Sequence, residues 1–133
     1  MTLDFGLIAD FASVDASAKM TVVGIFGQLN CRELPVTSPQ LSIAAQFTMQ
    51  RAELGKNHTL EIVLVQPDGT DGFKIGPAPF TVGANSAPVD EAQVPMVFNV
   101  RDLKLEKEGV YHWSVRIDNN EIGKIKMGVR KVA

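Results

Sequence analysis

Leu41-Ser42-Ile43-Ala44-Ala45-Gln46-Phe47-Thr48-Met49-Gln50 is the stretch whose reading decides the fold. Leu41, Ile43, Ala45, Phe47 and Met49 fall on one side, and Ser42, Gln46, Thr48 and Gln50 on the other. A two-residue period of this kind is a β-strand with one dry face and one wet face. Similar runs recur along the chain, and no helical period competes with them. The pattern predicts an all-β protein.

Towards the N-terminus, residues 3–13 predict a strand with Phe5, Leu7, Ala9 and Phe11 on one face. Residues 20–29 carry Val22, Val23, Ile25 and Phe26 and read as a strand buried on much of both faces. Gly24 and Gly27 within it mark a bulge or a close backbone approach. Residues 30–40, with Pro35 and Pro39, read as an extended loop.

Towards the C-terminus, residues 59–66 form the next strand. Leu60, Ile62 and Leu64 face one way, and Val63 and Val65 the other. Pro67-Asp68-Gly69 supplies the turn after it. The alternation weakens over residues 70–95, where Pro77, Pro79, Pro88 and Pro95 gather with Gly72, Gly76 and Gly83. This segment reads as a crossover along one edge, with a short strand near Phe80 to Val82 and the best prospect of mobility. Met96, Phe98 and Val100 mark another strand, continued by Leu103 and Leu105. Tyr111, Trp113, Val115 and Ile117 line one face of the next, with His112, Ser114 and Arg116 opposite. Ile125, Met127 and Val129 end the chain.

The last hairpin carries a register constraint. A two-residue Asn119-Asn120 turn suits a type I′ geometry but pairs Val115 with Lys124, putting a lysine on the dry face with Trp113. One extra residue, with Gly123 well placed for the bulge, or a three-residue loop restores the match.

The chain has 133 residues, one cysteine and a net charge of −2. That length is a single domain, 1–133, with a core large enough to need no staple. Neither the charge nor the composition carries the electrostatic footprint of a nucleic-acid binder. Cys31 alone excludes an internal disulfide and fits a reducing compartment. Asp4 and Asp10 interrupt any apolar leader, and no apolar run is long enough to span a bilayer. A cytoplasmic protein with no membrane association is expected.

Leu105-Glu106-Lys107-Glu108-Gly109-Val110-Tyr111 is similar to the tyrosine corner of Greek-key sandwiches, in which a tyrosine bonds back to the backbone just upstream. The alternative for Tyr111 is an ordinary core aromatic. With about eight short strands and no helix, the expectation is a single antiparallel Greek-key β-sandwich of immunoglobulin-like form.

Further landmarks are Ala9-Asp10-Phe11-Ala12, Val23-Gly24-Ile25-Phe26, Pro35, Pro67-Asp68-Gly69, and Gly109-Val110-Tyr111 with Asp118. In these the chain resembles a family of small bacterial proteins of unknown function that look like single immunoglobulin-like domains. The resemblance implies the fold and brings no catalytic residues.

Chemistry is sparse. His58 falls in a polar turn, and His112 on a wet face two residues from Ser114, where a cross-strand polar pair is the simpler reading. Cys31 stands beside Arg32 but has no histidine nearby in sequence. Asp68, Thr70 and Asp71, and Asp118, Asn119, Asn120 and Glu121, would hold calcium only if the fold brought the two turns together. Otherwise they are turn residues bonding their own backbone. Lys124, Lys126 and Arg130, with Arg116 beside them, form a basic row that keeps an exposed strand soluble and unpaired, with a patch for an acidic partner as the lesser alternative. Trp113 offers a sugar-stacking ring, yet its neighbours mark it as core. Glu33, Asp90 and His112 would form a catalytic group only by assembly from distant positions. No catalytic, cofactor-binding or metal-ligating residue is assigned. The expected role is a noncatalytic protein-interaction or structural module, self-associating or binding another protein. The alternative is a small-ligand or carbohydrate binder that uses the 70–95 segment as a wall.

Overall fold

The alternating run at residues 41–50 lies inside the longest strand class of the molecule, and the other strands assemble around it. A computed structural model describes residues 1–84 and 90–132. Its strands are β1 (Thr2–Val14), β2 (Met20–Ile25), β3 (Gln28–Cys31), β4 (Val36–Gln50), β5 (His58–Val65), β6 (Asp71–Phe80), β7 (Glu91–Leu105), β8 (Gly109–Ile117) and β9 (Asn120–Lys131). A 3-10 turn, Arg51–Glu53, follows β4.

Four strands form one sheet in the order β2-β1-β4-β7, and five form the other in the order β3-β9-β8-β5-β6. All pairings are antiparallel except β3 with β9. The five-stranded sheet curls into a half-barrel. The core lies between the sheets: Leu41, Ile43 and Phe47 of β4 meet Ile62, Trp113, Val115 and Met127, all essentially inaccessible. The dry side of the alternating run is thus the core side.

Three expectations about strands are corrected. Residues 30–40 are not all loop, because β3 runs to Cys31 and β4 begins at Val36. Residues 20–29 are not one strand buried on both faces. They split at Phe26-Gly27 into β2, an edge of the first sheet, and β3, an edge of the second. Val23 and Ile25 are exposed because an edge strand with one unpacked face leaves them so. Gly24 does mark a close approach: its φ is +71°, and a side chain there would strike Asp10.

The 70–95 segment is more ordered than its prolines imply. Residues 71–80, not 80–82, form the strand, and it pairs with β5 at the sheet edge. An edge strand tolerates Pro77 and Pro79 because their missing N–H groups face no partner. Gly76, at φ +86°, supplies the local break in register. The mobility expected between residues 85 and 89 lies outside the described residues.

The hairpin constraint is met by a bulge. The turn falls one residue earlier than expected, at Asp118-Asn119, both with positive φ. Arg116 then pairs with Glu121 and Val115 with Gly123, leaving Ile122 as the extra residue. Trp113 consequently faces Ile125, and Lys124 points to solvent beside Ser114. Gly123, expected as the bulge, is instead a paired residue, and it is glycine where β1 crosses: a side chain there would collide with Leu3.

Tyr111 closes the corner between the sheets. Its hydroxyl donates to the carbonyl of Lys107 at 2.7 Å, four residues back, and its ring is buried. Corner and core aromatic are therefore one residue doing both.

Candidate functional site

A β-bulge decides where the first strand shows its aromatics. Leu3 pairs with Phe47, but the register shifts before Phe5, which pairs with Gln46. Leu3, Gly6 and Ile8 therefore share the inward side, and Phe5, Leu7, Ala9 and Phe11 share the outward one. They occupy one face, as the alternation predicts, but that face is turned away from the core. Gly6 completes the inward row because a Cβ there would come within 2.6 Å of Ile125.

β2 extends the same outward surface, since Ala9 pairs with Ile25 and Phe11 with Val23. Phe5, Phe11, Val23 and Ile25 are 39%, 49%, 55% and 61% exposed. Ala9, Ala44 and Ser42 form a fully buried floor among them. On β4 and β7 the outward row continues through Gln46, Ala44, Pro95 and Val97, by the pairing of Gln46 with Pro95 and Ala44 with Val97. The polar groups of this surface are already bonded to each other. Ser42 Oγ donates to Asn99 at 2.7 Å, and Thr48 Oγ1 to the Asp4 carboxylate at 2.7 Å. The sequence shows which residues share this face. It does not show that no second layer covers it.

The residues singled out for chemistry are dispersed. His58 is not in an open turn: it begins β5, largely buried. Its Nδ1 lies 2.8 Å from Asp118 Oδ2 and its Nε2 2.7 Å from the Glu53 carbonyl. Both partners are acceptors, so the protonated ring, which donates from both nitrogens, is the form this site favours. The Asp118 bond, then the Glu53 carbonyl, raise the His58 pKa above the ordinary value. The His58 bond, then the Thr59 N–H, lower that of Asp118. This pair staples the start of β5 to the β8–β9 turn. Proximity in sequence could not reveal it, because 60 positions separate the partners.

Ser114 is fully buried and bonds Glu121 and Arg116. Cys31 is buried, with its Sγ 3.5 Å from the Arg130 carbonyl. The two acidic turns sit at opposite ends of β5, since Thr59 contacts Asp118 whereas Val65 pairs with Asp71. Asp68 instead caps Thr70 through its N–H and hydroxyl, and those bonds lower its pKa. Glu33 precedes β4, and Asp90 binds Arg51 just after it. The intervening 15-residue strand separates them by about 45 Å. Among the described residues no three His, Cys, Asp or Glu side chains gather to hold a metal ion. Nor is any helix there long and apolar enough to cross a membrane.

β3 pairs with β9 only over residues 128–131, so beside Lys124 and Lys126 the strand has β8 as its one strand partner among the described residues, and the two lysines of the basic row stand along a free edge as expected. Its charges are interleaved with acids. Arg116 is 3.6 Å from Glu61 and 3.4 Å from Asp71, and Lys124 is 3.8 Å from Glu121.

The fold and this surface define a two-sheet β protein with one uncovered apolar sheet face. The chain belongs to a family of unknown function, DUF6941, which it matches over residues 4–130. No curated protein matches it. Among solved structures it is similar to Pseudomonas fluorescens alkylpurine DNA glycosylase AlkC, bound to DNA containing an abasic site analog. Identity is 15% and the TM-score 0.47, and the match covers 78% of this chain and 28% of that one. The chain thus spans less than a third of that protein.

Proposed function

We propose that this protein is a noncatalytic protein-interaction module, an immunoglobulin-like Greek-key sandwich that binds its partner through the outer face of β2-β1-β4-β7. The Greek-key reading is supported by strand order. β1, β4 and β7 share one sheet, β5, β8 and β9 the other, and the short β3 returns parallel to the last strand. The tyrosine corner at the β7–β8 crossing supports it as well. A bacterial cytoplasm is the setting that goes with this reading, because a single buried thiol suits a reducing compartment.

The observation that carries the function is the contiguous exposure of Phe5, Phe11, Val23 and Ile25. Single exposed apolar residues are ordinary, but a contiguous group on one sheet face marks an interaction surface. The test is affinity capture with the wild-type chain and with Phe11→Ser and Val23→Ser variants as bait. Wild type should retain a partner, itself included, that both variants lose. Equal recovery by wild type and variants would sink the reading.

A small-ligand or carbohydrate function has one observation in its favour. A cleft of about 260 Å³ opens beside the 70–95 segment, lined by Leu64, Gly72, Phe73 and Tyr111 among others. Phe73 is partly exposed there and meets Trp113 edge-on, and Trp113 Nε1 makes no hydrogen bond. The volume lies below the roughly 300–1,000 Å³ of established ligand sites, so this reading ranks second. Absence of any thermal shift across a panel of mono- and disaccharides would retire it.

A further inference from the structure

The outward rows of the four-stranded sheet are graded in charge along the strands. β4 contributes no charged side chain between Gln40 and Gln50, and β2 none between Thr21 and Ile25. The charges lie at the ends. Glu91 opens β7 opposite Gln50, and Asp4 lies beside Thr48 at that same end. Arg101 sits opposite Gln40 at the other end. Neither acid has a cation partner and Arg101 has no carboxylate partner among the described residues, whereas Lys104 beyond it is paired with Glu106. An uncharged apolar middle with unpaired opposite charges at its two ends is complementary to itself when one copy is reversed.

Resting on the interaction reading above, we infer that the occupant of this face is a second copy of the chain. The two four-stranded sheets pack face to face about a two-fold axis, with strands running antiparallel. In this arrangement β1 and β2 meet β1 and β2, so the apolar halves cover each other. The Glu91 end of each β7 then lies over the Arg101 end of the other. Packed sheets keep their strands within about 30° of alignment, which preserves this match. The size also fits. Phe5, Phe11, Val23 and Ile25 together present on the order of 350 Å², taking 150–250 Å² for a large side chain. Two copies bury about twice that, the apolar centre of a standard interface of roughly 1,600 Å² in total. Because Ser42, Asn99, Thr48 and Asp4 are already hydrogen-bonded within the face, covering them strands few polar groups.

Sedimentation velocity on the full chain tests this. Wild type should form a dimer with a Kd in the micromolar range or tighter, and Ile25→Glu should be monomeric with an unchanged circular dichroism spectrum. Arg101→Glu should raise the Kd about tenfold at low salt, and adding Glu91→Arg should restore it. The charge pair lies outside the core, so these variants test the geometry without threatening the fold. A wild type still monomeric at about 1 mM, a dimer indifferent to Ile25→Glu, or a charge swap that fails to restore association would each overturn the inference. If the chain is monomeric but affinity capture still separates wild type from Phe11→Ser, only the identity of the occupant falls.

Discussion

Along β9 the outward row runs Lys124, Lys126 and Arg130, with Arg116 of β8 between Glu61 and Asp71. Along β1 and β2 the outward row runs Phe5, Leu7, Phe11, Val23 and Ile25. Both surfaces come from the same two-residue alternation, and both cover the same core from opposite sides. One is furnished for water, with interleaved charges that keep it solvated. The other leaves its larger apolar groups exposed. A two-sheet fold needs only its inner faces for stability, so its outer faces are free to diverge in this way.

Truncation separates the faces most sharply. Phe47→Ala, on the inner side of β4, should cost about 3–5 kcal/mol in urea denaturation. Phe11→Ala, on the outer side of β1, should change monomer stability by less than about 0.5 kcal/mol. Equal losses would mean that the outer face is part of a core.

Tyr111→Phe comes next. It keeps the buried ring but removes the bond to the Lys107 carbonyl, so a loss of about 1 kcal/mol is expected in the same assay. No loss would reduce the corner to packing.

The His58–Asp118 staple gives a pH dependence of similar or smaller size. The His58 pKa is raised on folding, so its contribution is complete below about pH 6.5 and fades as the pH climbs through the folded value. The Asp118 pKa is lowered, so its share is complete above about pH 4 and fades as the pH falls through the folded value. The pair should stabilise most between those limits. Thermal melts should show His58→Gln losing more stability at pH 5.5 than at pH 9. A pH-independent loss would count against the charged pair.

The smallest effect should come from the charged outer face. Arg116→Met should cost no more than about 0.5–1 kcal/mol, and less at high salt, because ion pairs still open to solvent contribute little. A larger, salt-independent loss would show that this face, too, supports structure.

Much of this was legible in the residues. Leu41 to Met49 announce their dry side, and that side is the core. Glu106 to Tyr111 announce the corner, and Trp113 its burial. The bulge in the last hairpin followed from refusing to bury Lys124. Three features were not legible. β6 was missed because prolines argue against strands except at an edge, and edge position is a tertiary property. The split of β2 from β3 was missed because an unbroken apolar run looks the same whether it stays in one sheet or changes sheets. His58 was misplaced because its partners come from the 3-10 turn and the β8–β9 turn.

Alternation within each strand is local: successive side chains point to opposite faces whatever the neighbours do. The sequence alone therefore determined that the chain is built of strands, and which residues stand together on each side of them. Which side meets the core is not local. It depends on the bulge before Phe5, on the pairing of β1 with β4, and on where the second sheet lies. Only the tertiary structure could turn Phe5, Leu7 and Phe11 outward, because two sheets enclose one shared interior and leave their far sides open.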